Sequence, residues 1–336
     1  FNTMVEQLYK GRKIKWGIAG CGRFAENSFL PATRLLRKSS VVSLYSRDIN
    51  RSKFLSQKFG VQNYFDDYDQ FLKSDIDAVF ISSPNAHHYE QVIKAAKAGK
   101  NIFCEKPIAI NSIQAEEMVK VCKENNVLFA INYVHRYHPL VKKAKELILD
   151  QKLGKIVSID VHFNIDFPPD NNFRFKKELS GGGALRDIGT HALDLLMYFG
   201  GEIESIDGYL GNLIYNSEVD DFALGTVKFL KSGFGTFNVS YNNKKAFNRI
   251  EILCHKGAIA IDNLIGKKLA APKLTILLED ETRKSFRKRG NKMVYVMKSI
   301  QKSFLRNETP FVTGEDGLTN LKLMEELERK CLQRKR

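Results

Sequence analysis

Residues 13–25, KIKWGIAGCGRFA, decide the fold. A short apolar run at 14–19 enters a turn in which Gly20, Gly22 and Ala25 fill the pattern G-x-G-x-x-G/A, and a helical pattern follows from Phe24 to Leu36. The first glycine permits a tight turn, the second lets a pyrophosphate approach the backbone, and a small third residue lets helix pack on strand. The start of the helix adds free N–H groups and a positive dipole end. Gly20, Cys21, Gly22, Arg23, Phe24 and Ala25 are therefore the expected cradle for a dinucleotide.

Working outward, the chain to about residue 135 alternates strand and helix. Apolar or β-rich runs at 14–19, 41–45, 78–82, 101–104 and 127–132 read as strands. Helical patterns lie between them at 24–37, 51–59, 68–73, 88–98 and 113–125. Gly99 is placed to stop the fourth helix and Asn111 or Ser112 to cap the fifth. This alternation predicts an α/β fold, a doubly wound parallel sheet of Rossmann type. Beyond residue 135 a helix at 139–150 precedes longer alternating strands at 155–165, 206–215, 222–230, 235–241, 249–255 and 258–263. Helices are expected near 184–199, 291–304 and 317–329, around a mainly antiparallel sheet. The expected division is an extension at 1–12, a dinucleotide-binding domain at 13–134 and a second α/β domain at 135–336, closely joined around a ligand crevice.

Composition narrows the class. The sequence holds 336 residues, 43% hydrophobic, with 23 Phe, enough for two cores. No uninterrupted apolar run of about eighteen residues is present, so no membrane helix is expected, and the N-terminal residues have no apolar signal core. Five cysteines without a C-x-x-C suit a reducing, cytoplasmic setting rather than disulfides or a metal site. The formal charge of +15 favours anionic partners. Its basic residues are scattered; the densest groups, 283–292 and 329–336, contain one aromatic and no nucleic-acid motif. A solvated basic face, or a phosphorylated or nucleotide-bearing small ligand, is the expected meaning, not nucleic acid.

Three constellations carry chemistry. At the end of the second strand, where NAD-preferring sites place an acid for the ribose 2′-OH, the chain has Ser46 and Arg47. A hydroxyl and a guanidinium suit a 2′-phosphate, so NADP(H) is favoured and NAD(H) is the alternative; Asp48 is placed to cap the next helix. Glu105-Lys106-Pro107 directly follows an apolar strand, which puts Lys106 where ligands bind in open α/β sheets. A lysine there can stabilise charge developing on a substrate oxygen. Residues 181–194, GGGALRDIGTHALD, place Asp187 and His191 four apart on one helix face, an imidazole for proton exchange beside a carboxylate. Arg174, in the loop 166–179, is a candidate for a hydroxylated or anionic substrate.

Together and in this order, GIAGCGRFA (17–25), SPNAHH (83–88), CEKP (104–107), NYVHRYHP (132–139) and the 181–194 segment resemble the Gfo/Idh/MocA oxidoreductase family over nearly the whole chain. The resemblance implies a Rossmann domain followed by an α/β domain whose open sheet mediates homo-oligomers, dimers or tetramers. It implies hydride transfer with sugars, cyclitols or nucleotide sugars. It carries the catalytic roles onto Lys106, Asp187 and His191. It adds Ser83, Pro84, Asn85, His88, Glu105 and Lys106 to the cofactor site. Lys106, Arg136, Arg174, Asp187 and His191 fall on the substrate side. Two other outcomes are compatible: a tightly held dinucleotide used for glycoside hydrolysis or epimerisation, and a dinucleotide-sensing regulator.

Overall fold

The computed structural model describes residues 11–265 and 271–334, so the first ten residues of the expected extension and the last two of the basic tail lie outside it. The chain divides into two units. One takes the chain up to Asn132 together with Asn291–Leu318; the other takes Tyr133–Gly290 and the chain from Thr319 onward.

The first unit is built on a six-stranded parallel sheet of order β3-β2-β1-β4-β5-β6. Its strands are β1 (Ile14–Ala19), β2 (Ser39–Tyr45), β3 (Asn63–Phe65), β4 (Ala78–Ile81), β5 (Asn101–Cys104) and β6 (Phe129–Ile131). Every residue of β4 is buried, as expected for a strand covered on both faces. The three-residue β3 is absent from the sequence reading because Asn63 and Tyr64 are exposed and no apolar run marks it. The helix expected at 24–37 is shorter and irregular. Residues Ala25–Phe29 form a π turn, closed by the Leu30 N–H on the Ala25 carbonyl, and a single α turn, Leu30–Thr33, follows. Pro31 has no N–H to give the ladder, which accounts for the interruption.

The break between the units falls at Asn132 and Tyr133, but residues 291–318, expected in the second domain, belong to the first unit. Helix Lys292–Arg306 packs on the first unit. Phe304 lies against Trp16 with ring centroids 5.7 Å apart, and Ser39 Oγ donates to Gln301 Oε1 at 2.9 Å. The Trp16 indole N–H in turn reaches Ser39 Oγ at 3.3 Å.

The second unit holds an eight-stranded sheet of order β14-β13-β12-β11-β7-β10-β9-β8. The strands are β7 (Ile156–Asn164), β8 (Ile203–Gly211), β9 (Phe222–Phe229), β10 (Phe234–Ser240), β11 (Arg249–Cys254), β12 (Gly257–Asp262), β13 (Lys273–Leu278) and β14 (Arg283–Arg287). Only the β7–β10 pair is parallel. Strand β8 ends earlier than expected because the Asp221 carboxylate accepts the N–H groups of Leu213, Ile214 and Tyr215 and folds that segment into a loop. The basic cluster at 283–292 begins as β14, an exposed edge strand, and charge on such an edge discourages pairing with another chain. Register aligns Leu277, Ala258, Leu253, Ser158 and Phe234 in one row across five strands; its three large apolar members are exposed. No helix among the described residues is long and apolar enough to cross a membrane.

Candidate functional site

In the first unit the glycine turn has the geometry a dinucleotide needs. Gly20 sits at φ +103°, where a Cβ would meet the Ser83 nitrogen at an impossible distance, so β1 and β4 close together only over glycine. A Cβ on Gly22 would meet nothing, so the backbone there opens onto free space. Cys21 serves only through its backbone. Its thiol points inward to the Tyr45 carbonyl at 3.5 Å, and burial pushes it up to about 12. Ala25 is buried under the turn, while Arg23 and Phe24 are exposed. The turn is anchored from behind by Arg51, whose Nε donates to the Cys21 carbonyl at 2.7 Å and whose guanidinium pairs with Glu26.

At the end of β2, Ser46 Oγ accepts the Asp48 N–H, and Asp48 Oδ1 accepts the Asn50 N–H at 3.0 Å, capping helix Ile49–Phe59 as its spacing predicts. Arg47 is exposed beside them. Past β4, Ser83 Oγ donates to Gln91 at 2.7 Å, and buried Asn85 opens the short turn Asn85–His87. Past β5, Glu105 accepts the Asn132 amide at 2.6 Å, and Lys106 follows it half-buried, joined to Pro107 by a cis peptide.

His88 is the clearest departure from the expected cofactor contacts. It is fully buried, and its two ring nitrogens lie 3.0 Å from the carbonyl oxygens of Ser83 and Pro107. The ring therefore joins the loop after β4 to the loop after β5 from inside the protein and does not reach a ligand. Burial lowers its pKa to about 4, outweighing the carbonyls of Ser83, Pro107 and Ile108, which act in the opposite sense. The folded-state value lies below the unfolded value of about 6.5. The neutral ring's contribution is thus fully present above about pH 6.5 and is lost as the pH falls toward 4. That loss amounts to ~3 kcal/mol, and denaturant melts between pH 7 and pH 4 should show it. His88→Gln should flatten this part of the profile; an unchanged slope in the variant refutes the assignment.

In the second unit, residues 182–196 are all buried except Asp187 and His191. The segment is a π turn, Leu185–Gly189, followed by helix Thr190–Gly200, rather than one regular helix. Its start is set by Asp220, whose carboxylate accepts the N–H groups of Gly183 (2.9 Å) and Leu185 (2.8 Å). A Cβ at Gly183 would collide with the Asp220 carbonyl, so this approach requires glycine. Asp187 Oδ1 accepts Arg174 Nε at 3.2 Å, and Oδ2 accepts the Tyr241 hydroxyl at 2.9 Å. The His191 ring stands edge-on to that of His135, centroids 4.7 Å apart, with Tyr133 at 6.3 Å. Arg174 and Asp187 are thus in direct contact, and His191 lies four residues along the same segment of the same unit, while Lys106 belongs to the other unit.

Arg136 is not on a substrate face. It is buried, its guanidinium pairs with Asp194 at 2.7 Å, and it lies over the Tyr198 ring at 5.5 Å. Asp220, Tyr241 and His135 are absent from the expected site. The first two act over 35 and 54 residues of sequence, and their only local signals are an acidic pair before a strand and a tyrosine at a strand's end.

A parallel sheet whose glycine turn opens at Gly22 is the arrangement of dinucleotide-binding α/β proteins, and the second unit carries a carboxylate and an imidazole, both partly exposed, in the otherwise buried stretch 182–196. The chain belongs to the Gfo/Idh/MocA family: residues 14–133 match the oxidoreductase family with NAD-binding Rossmann fold, and residues 141–260 match the GFO/IDH/MocA C-terminal domain. It is 30% identical to an uncharacterized oxidoreductase of Streptococcus pneumoniae, over 74% of this chain and 68% of that one. It is 24% identical to a dTDP-3,4-didehydro-2,6-dideoxy-alpha-D-glucose 3-reductase of Actinomadura kijaniata over 96% of both. Two other curated relatives are matched over less than two thirds of their own length, 63% of one and 46% of the other. Levoglucosan dehydrogenase, solved with NADH and levoglucosan, shares the fold with a TM-score of 0.88 at 20% identity, covering 96% of this chain and 98% of that one.

Proposed function

We propose that this protein moves a hydride between a nicotinamide dinucleotide and a hydroxyl- or carbonyl-bearing carbon of a sugar, cyclitol or nucleotide sugar. The observation that carries this reading is the pair Asp187 and His191, the two partly exposed residues of the otherwise buried stretch 182–196. The relatives' sugar substrates support it. When bound, the nicotinamide supplies the hydride donor or acceptor. The turn residues Gly20, Gly22 and Ala25 would hold its pyrophosphate, with Pro84 and Asn85 beside the nicotinamide ribose. Lys106 donates to the reacting oxygen and stabilises the charge that develops on it. His191 takes the hydroxyl proton on oxidation and returns it on reduction. Asp187 completes the set, and Arg174 suits an anionic or nucleotide-linked substrate.

NADP(H) is the favoured cofactor because Arg47 stands exposed at the end of β2 with no acid at the preceding position. Arg47→Ala should weaken NADPH binding about 10–100-fold, as expected for loss of a charge-assisted contact, and leave NADH nearly unchanged. Fluorescence titration of each dinucleotide reads this, and equal losses for both would refute the 2′-phosphate role. The apolar row Leu277, Leu253 and Phe234 suits a homo-oligomeric contact, for which molar mass by light scattering is the check.

The test of the function is absorbance of reduced nicotinamide with NADP and NAD separately, across free sugars, inositols, sugar acids and nucleotide sugars. Net turnover with one class supports the reading. Tight dinucleotide binding with no net reduction in either direction favours non-redox sugar chemistry or a sensor instead.

A further inference from the structure

We propose that Tyr241 is a positioning residue for Asp187, delivering its hydroxyl to one carboxylate oxygen while Arg174 takes the other, so that Asp187 is a fixed acceptor and His191 alone exchanges the proton in this unit. The inference rests on the hydride-transfer reading above.

Asp187 lies on the π turn with its side chain 19% exposed. Its two oxygens are engaged by groups from two other parts of the unit. Oδ2 takes the Tyr241 hydroxyl at 2.9 Å, and Oδ1 takes Arg174 Nε at 3.2 Å. The two donors differ in rigidity. Tyr241 is fully buried just past the end of β10, its N–H donating to the Asp221 carbonyl at 2.8 Å and its carbonyl accepting the Phe167 N–H at 2.8 Å. Its ring sits edge-on to Phe167 (5.2 Å) and Phe175 (5.7 Å). Arg174 is about one third exposed and rests on the Phe173 ring at 4.8 Å. The phenol is therefore the rigid anchor and the guanidinium the accessible arm. Burial, with Asp187 alongside, raises the Tyr241 phenol well above its ordinary range, so it remains an O–H donor wherever the enzyme works. A carboxylate receiving one neutral and one cationic donor is held in one orientation. His191 lies four residues along the same segment, and its imidazole nitrogen is the group that can load and unload a proton.

Tyr241→Phe keeps the ring and removes the donor. We expect kcat to fall about 10–100-fold, with substrate KM and dinucleotide Kd within about threefold. In an Asp187→Asn background the same substitution should cause no further loss, because its effect passes through the carboxylate. Unchanged kcat in Tyr241→Phe, a further tenfold loss in the double variant, or a change confined to KM would each overturn the proposal. Melting temperatures of the two single variants and the double variant give a check independent of turnover. Shifts that fail to add are expected; additive shifts refute the contact. Lys106→Met in the same assay separates the two claims. If the parent shows no net dinucleotide turnover with any substrate class, the hydride-transfer reading itself fails; if the parent turns over, Lys106→Met loses turnover and Tyr241→Phe does not, only the positioning role fails.

Discussion

Lys106→Met is expected to lower turnover by about 10²–10³-fold while dinucleotide affinity stays within about threefold of the parent. Lys106 emerges half-buried directly from the carboxyl end of β5, the edge of an open parallel sheet where ligands bind. Met keeps most of the apolar stem and removes only the ammonium. The lost group is one whose charge matters most when negative charge builds on the substrate oxygen, so the loss should appear in kcat more than in KM. Steady-state kinetics with parallel dinucleotide titration decide it. Turnover within threefold of the parent would remove Lys106 from the reaction.

The second large effect concerns stability. Arg136 and Asp194 are buried partners, their side chains 8% and 1% exposed, at 2.7 Å. Asp194→Ala leaves a guanidinium without its carboxylate in a desolvated site, and the second unit should lose ~3–5 kcal/mol. Replacing both residues, as Arg136→Met with Asp194→Leu, should cost less than the single change, because no buried charge is then left unpaired. Urea unfolding monitored by fluorescence measures both. A loss below about 1 kcal/mol in Asp194→Ala would mean that water reaches the guanidinium.

Much of this was legible in the sequence where chemistry is local. The turn after β1 reads directly because Gly20, Gly22 and Ala25 each answer a short-range steric demand. Asp187 and His191 stand out by their spacing of four, and both are partly exposed in the otherwise buried stretch 182–196. Asp48 likewise reads as a cap from local spacing. What could not be read depends on partners distant in sequence. The inward turn of Arg136 needs Asp194, the role of His88 needs the Pro107 carbonyl, and the anchoring of Asp187 needs Tyr241. A motif match placed His88 and Arg136 at ligands because residue type and position are all that a motif records. Strand β14 was hidden by its composition, RKSFR, one aromatic among charged and polar residues, whereas β13, KLTILL, carries an apolar run of the kind that marks a strand.

The return of residues 291–318 to the first unit has a consequence for how the protein is made. Trp16 and its neighbour Phe29 leave the ribosome some 270 residues ahead of the helix that carries Phe304 and Gln301, as their numbers show. Domains ordinarily fold in order of synthesis at about 5–20 residues per second. Here the nascent Rossmann sheet waits through translation of Tyr133–Gly290, the larger part of the second unit, before its covering layer exists. Birth order and completion order are reversed, and the half-finished sheet is the species on which a chaperone would have to act.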